Sequence, residues 1–186
     1  MSEFTFVEKA STALSFLEEH RFSRVRADDF LIEYQNHFLG VSLFFEPRTG
    51  DLDTRVFRTA DQAEKFELGL FAAWIGDKNA SDYECFVVGS NDGLITAIQK
   101  CADGVSKNLP YLLNANEDSF ARLKAFREER ASAMAVSWNL PGILQRAEQA
   151  WIENKFSKVV ELLSSVERHL TPAQIKKLEL AKKYAA

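Results

Sequence analysis

Several side chains in this 186-residue chain have the types and spacing to do chemistry. In "DLD", Asp51 and Asp53 stand two residues apart, so on a strand both carboxylates share a face with Arg55. Paired carboxylates can hold a divalent cation or divide acid and base work between them. With a guanidinium on the same face, an exposed ion pair is the expected outcome. Arg127 and Arg130 form a second candidate. On a helix over 117–136 they fall inside an apolar arc with Phe120, Leu123 and Met134. Guanidiniums on such a face need carboxylate partners, or else they line a cleft for an anion. The expected partner is an acidic side chain of a sheet.

The remaining reactive types are sparse. His20, His37 and His169 have no neighbours at metal-ligand spacing, and two of them close predicted helices, where an imidazolium interacts well with the dipole. Cys85 and Cys101 are the two cysteines; they read as small apolar residues of a reducing compartment. "GSNDG" lacks the Lys-Ser/Thr of a phosphate loop, and neither Gly-x-Ser-x-Gly nor His-Glu-x-x-His occurs. The residues therefore imply no cofactor and no metal, and point away from an enzyme.

The elements that must position these groups follow from periodicity. Phe6, Val7, Ala10, Leu14 and Leu17 recur at helical spacing between Glu3 and His20, with Phe16 off the stripe. The period then becomes two. Phe30, Ile32 and Tyr34 form one strand, and Leu39, Val41, Leu43 and Phe45 a second. After the reversal "EPRTGD", Leu52, Thr54 and Val56 form a third. On the opposite parity stand Phe38, Phe44 and Phe57, beside Glu33, Asp53 and Arg55. They make an aromatic patch if that face is open; the expectation is that a later helix covers them.

"FELGLFAAWIG" (66–76) fits either a strand or a helix. A helix from Leu94 to about Lys107 is predicted to stop at Pro110. Another is predicted to start at the cap Asn116 and run to about Val136. "WNLPG" (138–142) reads as a hinge, and Thr171-Pro172 starts the last helix. The predicted fold is α+β: an N-terminal helix, a three- or four-stranded antiparallel meander, then several helices ending in an αα-hairpin. Residues 1–137 form the α+β body and 138–186 a helical hairpin region packed on it.

Ala147, Ala150, Asn154, Phe156, Val159 and Val166 are spaced in a way that resembles a single tetratricopeptide helix pair. In that family small residues let two helices approach, and the turn is usually a glycine, here Asn154. The resemblance covers about 30 residues and implies a structural hairpin rather than a stacked array. The order of elements along the whole chain is similar to small bacterial orphan domains of the toxin-immunity kind. That resemblance implies a soluble acidic binding partner and transfers no residue role.

Charge agrees with an acidic binding partner. The net charge is −4, distributed as −3 over 1–60, −4 over 61–110 and +3 over 111–186. No concentrated basic face is predicted, so nucleic acid is not expected as a partner. No apolar run reaches the length of a membrane span, and the acidic start is not a secretory leader. The first expectation is a cytoplasmic protein-binding module, such as an immunity-like inhibitor of a basic protein, using Phe38, Phe44, Asp51, Asp53 and Arg55. The alternative is a small-molecule or anion-binding domain, or a small enzyme, with Arg127 or Arg130 in a pocket between sheet and helix 117–136. A scaffold or oligomer built on the C-terminal helices is a third.

Overall fold

The computed structural model describes residues 6–185. The fold is α+β, and its described chain divides into two units, Met1–Phe126 and Arg127–Ala186.

In the first unit, α1 (Phe6–Leu14) and the short α2 (Phe16–Glu19) replace the single predicted helix. Its predicted start, residues 3–5, lies outside the described residues. The helix breaks at Ser15, whose hydroxyl donates to Thr12 O, yet the stripe Phe6, Ala10, Leu14 and Leu17 is buried as expected. Six strands follow: β1 (Ser23–Asp28), β2 (Leu31–Gln35), β3 (Leu39–Glu46), β4 (Asp51–Arg58), β5 (Asp61–Glu67) and β6 (Phe86–Val87). They pair antiparallel in the order β1-β2-β3-β4-β5, with β6 also on β4.

The sheet is thus larger than the predicted meander. Strands β2, β3 and β4 are the predicted ones. β1 gives no periodic signal because all of its residues are exposed, and in β5 only Phe66 is buried. The ambiguous 66–76 resolves into the end of β5 and the helix α3 (Leu68–Trp74).

Two turns set the register. Asn36 Oδ1 accepts from Phe38 N at 2.9 Å and Leu39 N at 2.7 Å, which closes β2 onto β3. Between β3 and β4, Gly50 takes φ +78, and a Cβ there would meet Val88 O at 2.4 Å. Only glycine combines that backbone with that approach.

One face of the sheet carries Ile32, Tyr34, Leu39, Val41, Leu43, Leu52, Val56 and Phe66. These join the buried side chains of α1, α3, α4 (Asn91–Leu113) and the start of α5 (Glu117–Ile152) in one core. α4 runs through Pro110, which was predicted to stop it. Its apolar stripe runs across the proline, from Leu109 before it to Leu112 after it, both buried, so packing outweighs the lost hydrogen bond.

Thr54 is the exception on that core face. Among the described residues its buried Oγ1 has no hydrogen-bond partner; the Cys101 thiol, at best a weak sulfur partner, is beside it. Thr54→Val keeps the shape and removes the orphan hydroxyl. It is expected to raise unfolding stability by about 1 kcal/mol, measured by urea titration.

In the second unit, the later part of α5 packs Ala147 and Ala150 against α6 (Phe156–Ser164) and α7 (Pro172–Ala185). The predicted hinge at 138–142 is continuous helix through Pro141, because Leu140, Ile143 and Leu144 carry the apolar stripe across it. α5 ends with Asn154 at φ 58, while Lys155 N reaches back to Ala150 O at 2.8 Å. This is a helix stop of the left-handed type, with asparagine at the position that favours glycine. Thr171 and Gln174 cap α7 reciprocally, at 2.8 and 3.4 Å.

Candidate functional site

The candidate site is the second face of the sheet in the first unit. Its rows are read from the strand register. Glu33, Ser42, Arg55 and Glu67 lie across β2, β3, β4 and β5. A second row holds Leu31, Phe44 and Asp53, and a third Gln35, Gly40, Phe57 and Lys65. Among the described residues, none of these side chains enters the core cluster on the other face.

The third row explains an aromatic ring on a polar face. Phe57 is fully buried, yet outside the helix-side core. Its ring lies across Gly40, where an added Cβ would stand 2.2 Å from Phe57 Cζ. The Lys65 ammonium sits 4.2 Å from the ring centroid, a cation–π contact. The same ammonium reaches Glu33 Oε2 at 2.8 Å, bridging β5 to β2 over the two strands between them. Glu33 also accepts from Gln35 Nε2 at 2.6 Å. A side chain with two oxygens and only 6 % exposure needs such partners, because a buried polar group without them is costly.

Around this roofed ring the predicted residues separate. Asp53 accepts from Arg55 Nε at 2.6 Å, the ion pair that the spacing predicts. Asp51 is held by Thr49 Oγ1 at 2.6 Å. Phe44 is on the face and 40 % exposed, between Leu31 and Asp53. Phe38 is not on it. The Asn36 turn takes it out of strand parity, and its ring meets Phe120 of α5 edge-on at 6.1 Å. The aromatic patch Phe38/Phe44/Phe57 therefore does not exist as one surface. A helix covers Phe38, as expected, whereas Phe57 lies beneath Lys65 of its own sheet face.

Arg127 and Arg130 belong to the second unit. The arc predicted for them is broken: Phe120 and Leu123 are buried, Met134 is 51 % exposed, and Arg127 is half-buried while Arg130 is exposed. Among the described residues no group of three or more His, Cys, Asp or Glu could hold a metal ion, and no helix is long and apolar enough to cross a membrane.

Sequence reasoning missed Gly40, Lys65 and the role of Glu33. A glycine flanked by apolar residues in a strand was the available signal, since it marks close approach of another group.

What the face offers chemically is charge in fixed places. Asp28, Glu33, Glu46, Asp51, Asp53 and Glu67 outnumber Arg26, Arg55 and Lys65 on it. The first unit as a whole carries 20 acidic and 13 basic residues, the second 7 and 10. Cys85 is exposed beside this acidic rim. Desolvation first, then the Asp51 and Asp53 carboxylates, raise its pKa. Burial pushes the Cys101 thiol up to about 12.

Neither thiol is thus primed as a nucleophile, because attack needs the thiolate. At pH 8 iodoacetamide is expected to modify Cys85 more slowly than free cysteine and to leave Cys101 intact until the protein unfolds. The Cys85 rate should rise with pH as its raised pKa is approached. Mass spectrometry of the alkylated protein reads both. No family model, curated protein or solved structure matches this chain.

Proposed function

We propose that the chain is a protein-binding module whose acidic sheet face receives a basic partner protein. The observation that carries this reading is the acid excess on a sheet face that lies outside the helix-packed core. Its side chains are ordered by one another: Lys65 holds Glu33, Arg55 holds Asp53 and Thr49 holds Asp51. Pre-ordered charge lowers the cost of binding, and an acidic field speeds encounter with a basic surface. Phe44 supplies the one large exposed apolar group within the rows, a fitting centre for the contact. The toxin-immunity resemblance suggests what such a partner is: a basic enzyme kept inactive by an acidic inhibitor.

The test is capture from native lysate with wild-type protein and with Asp51→Lys/Asp53→Lys as baits, in low and high salt. A stoichiometric basic protein retained by wild type, released by salt and bound at least about tenfold more weakly by the variant is the expected result. Equal capture by both baits, with both melting normally, would remove the sheet face from the account.

A further inference from the structure

In the second unit α5 has two apolar faces, and the core of that unit takes one of them. Val136, Leu140, Ile143 and Ala147 pack into it with α6 and α7. On the opposite side Ala131, Met134, Ala135, Trp138, Gly142 and Gln145 fall within an arc of about 100°. All six are exposed, Trp138 by 78 %. Nothing lies within 4 Å of the place where a Cβ on Gly142 would stand. Among the described residues the Trp138 ring meets no other ring and no cation. An uncharged helix face with its largest ring in water marks an interaction surface.

Two charges bracket this arc. Glu128 and Arg146 stand 18 residues apart, five full turns and about 27 Å, so they share one flank of it. They cannot reach each other along one helix. Neither has an ion-pair partner among the described residues; Arg146 Nε donates to the Gly142 carbonyl at 3.3 Å.

An occupant that meets both charges carries a cation at the Glu128 end, an anion at the Arg146 end and an uncharged strip between them. A second copy of α5 running antiparallel has that pattern. Two-fold symmetry sets each flank against the same flank of the partner with the ends reversed. Glu128 then faces the partner's Arg146, and Arg146 the partner's Glu128, in one alignment centred on position 137. In that alignment Trp138 comes over the partner's Met134 and Ala135, where the small side chains leave room for the indole. The helix dipoles also oppose each other. A parallel pair would set indole against indole. It would offer Glu128 only Arg130, which is already engaged.

We infer that the chain pairs with a second copy of itself through this face of α5, as an antiparallel two-fold dimer. The acidic sheet face belongs to the first unit, so this pairing stands apart from the proposed basic partner.

Sedimentation velocity of the full chain over a concentration series tests it. Monomer should pass to dimer with a dissociation constant of roughly 1–100 μM, since one pair of helix faces is a small interface. Trp138→Ala should weaken the dimer at least about tenfold. Glu128→Arg and Arg146→Glu each bring like charges together twice, and each should weaken it about tenfold. Mixed in equal amounts, these two charge variants should form a heterodimer about as tight as the wild-type dimer, because every flank pair is again opposite in sign. A parallel pair gives no such rescue. All three positions are exposed, and thermal melting checks that each variant folds. A chain that stays monomeric at millimolar concentration overturns the inference and leaves Trp138 to a different protein. So does a dimer indifferent to Trp138→Ala or to the single charge changes. Failure of the mixed variants to restore the dimer overturns the antiparallel pairing.

Discussion

Phe57→Ala is expected to lower the unfolding free energy by about 3–5 kcal/mol, seen as a lower urea midpoint. The ring is fully buried although it is on the polar side of the sheet. Truncation removes the apolar surface that Gly40 and the Lys65 stem now cover, and leaves the Lys65 ammonium without the ring beneath it. The sheet cannot close over the gap, because Gly40 and Phe57 are register partners on paired strands. A loss below about 1 kcal/mol would mean that the ring contributes as a surface residue does.

Gly40→Ala is expected to cost about 2–3 kcal/mol, at the upper end for an added methyl in a packed interior. The new Cβ would stand 2.2, 2.3 and 2.7 Å from Cζ, Cε2 and Cε1 of Phe57. The obstacle is a whole ring, not the end of a flexible chain, and the ring is pinned by Lys65. Backbone strain plays no part, since Gly40 is an ordinary strand residue. The two changes must therefore couple. In a Phe57→Ala background the alanine at position 40 meets no ring, and its cost should fall to a few tenths of a kcal/mol. Strict additivity in this double-mutant cycle would contradict the stacked arrangement.

Parts of this arrangement were legible in the sequence, and the reasons differ residue by residue. β2, β3 and β4 each bury one face, so their period of two was plain. β1 is an exposed edge, and β5 buries one residue, so neither wrote a pattern. Without β5, Lys65 had no register. Its pairing with Glu33, 32 positions away, was then beyond reach. Parity put Phe57 on the polar face correctly but could not say that the face would bury it. The same parity misplaced Phe38, because it holds only inside the strand and Asn36 turns the chain first. The Asp53–Arg55 pair was readable because it is local. Pro110 and Pro141 misled for a related reason: local breaking rules gave way to apolar stripes that continue past both prolines. Asn154 shows local and long-range signals in agreement, a left-handed turn closing two helices whose Ala147, Ala150, Val159 and Leu163 share one core.

The central claim is that a basic partner sits on the acidic face of the sheet. Zero-length carbodiimide cross-linking of the captured complex tests it directly, because that reagent joins carboxylates only to amines already in contact. The account predicts peptides joining partner lysines to Asp51, Glu46 or Glu67, with yield falling in salt as the charges are screened. Cross-links confined to carboxylates of the second unit, such as Glu148 or Glu179, would contradict it.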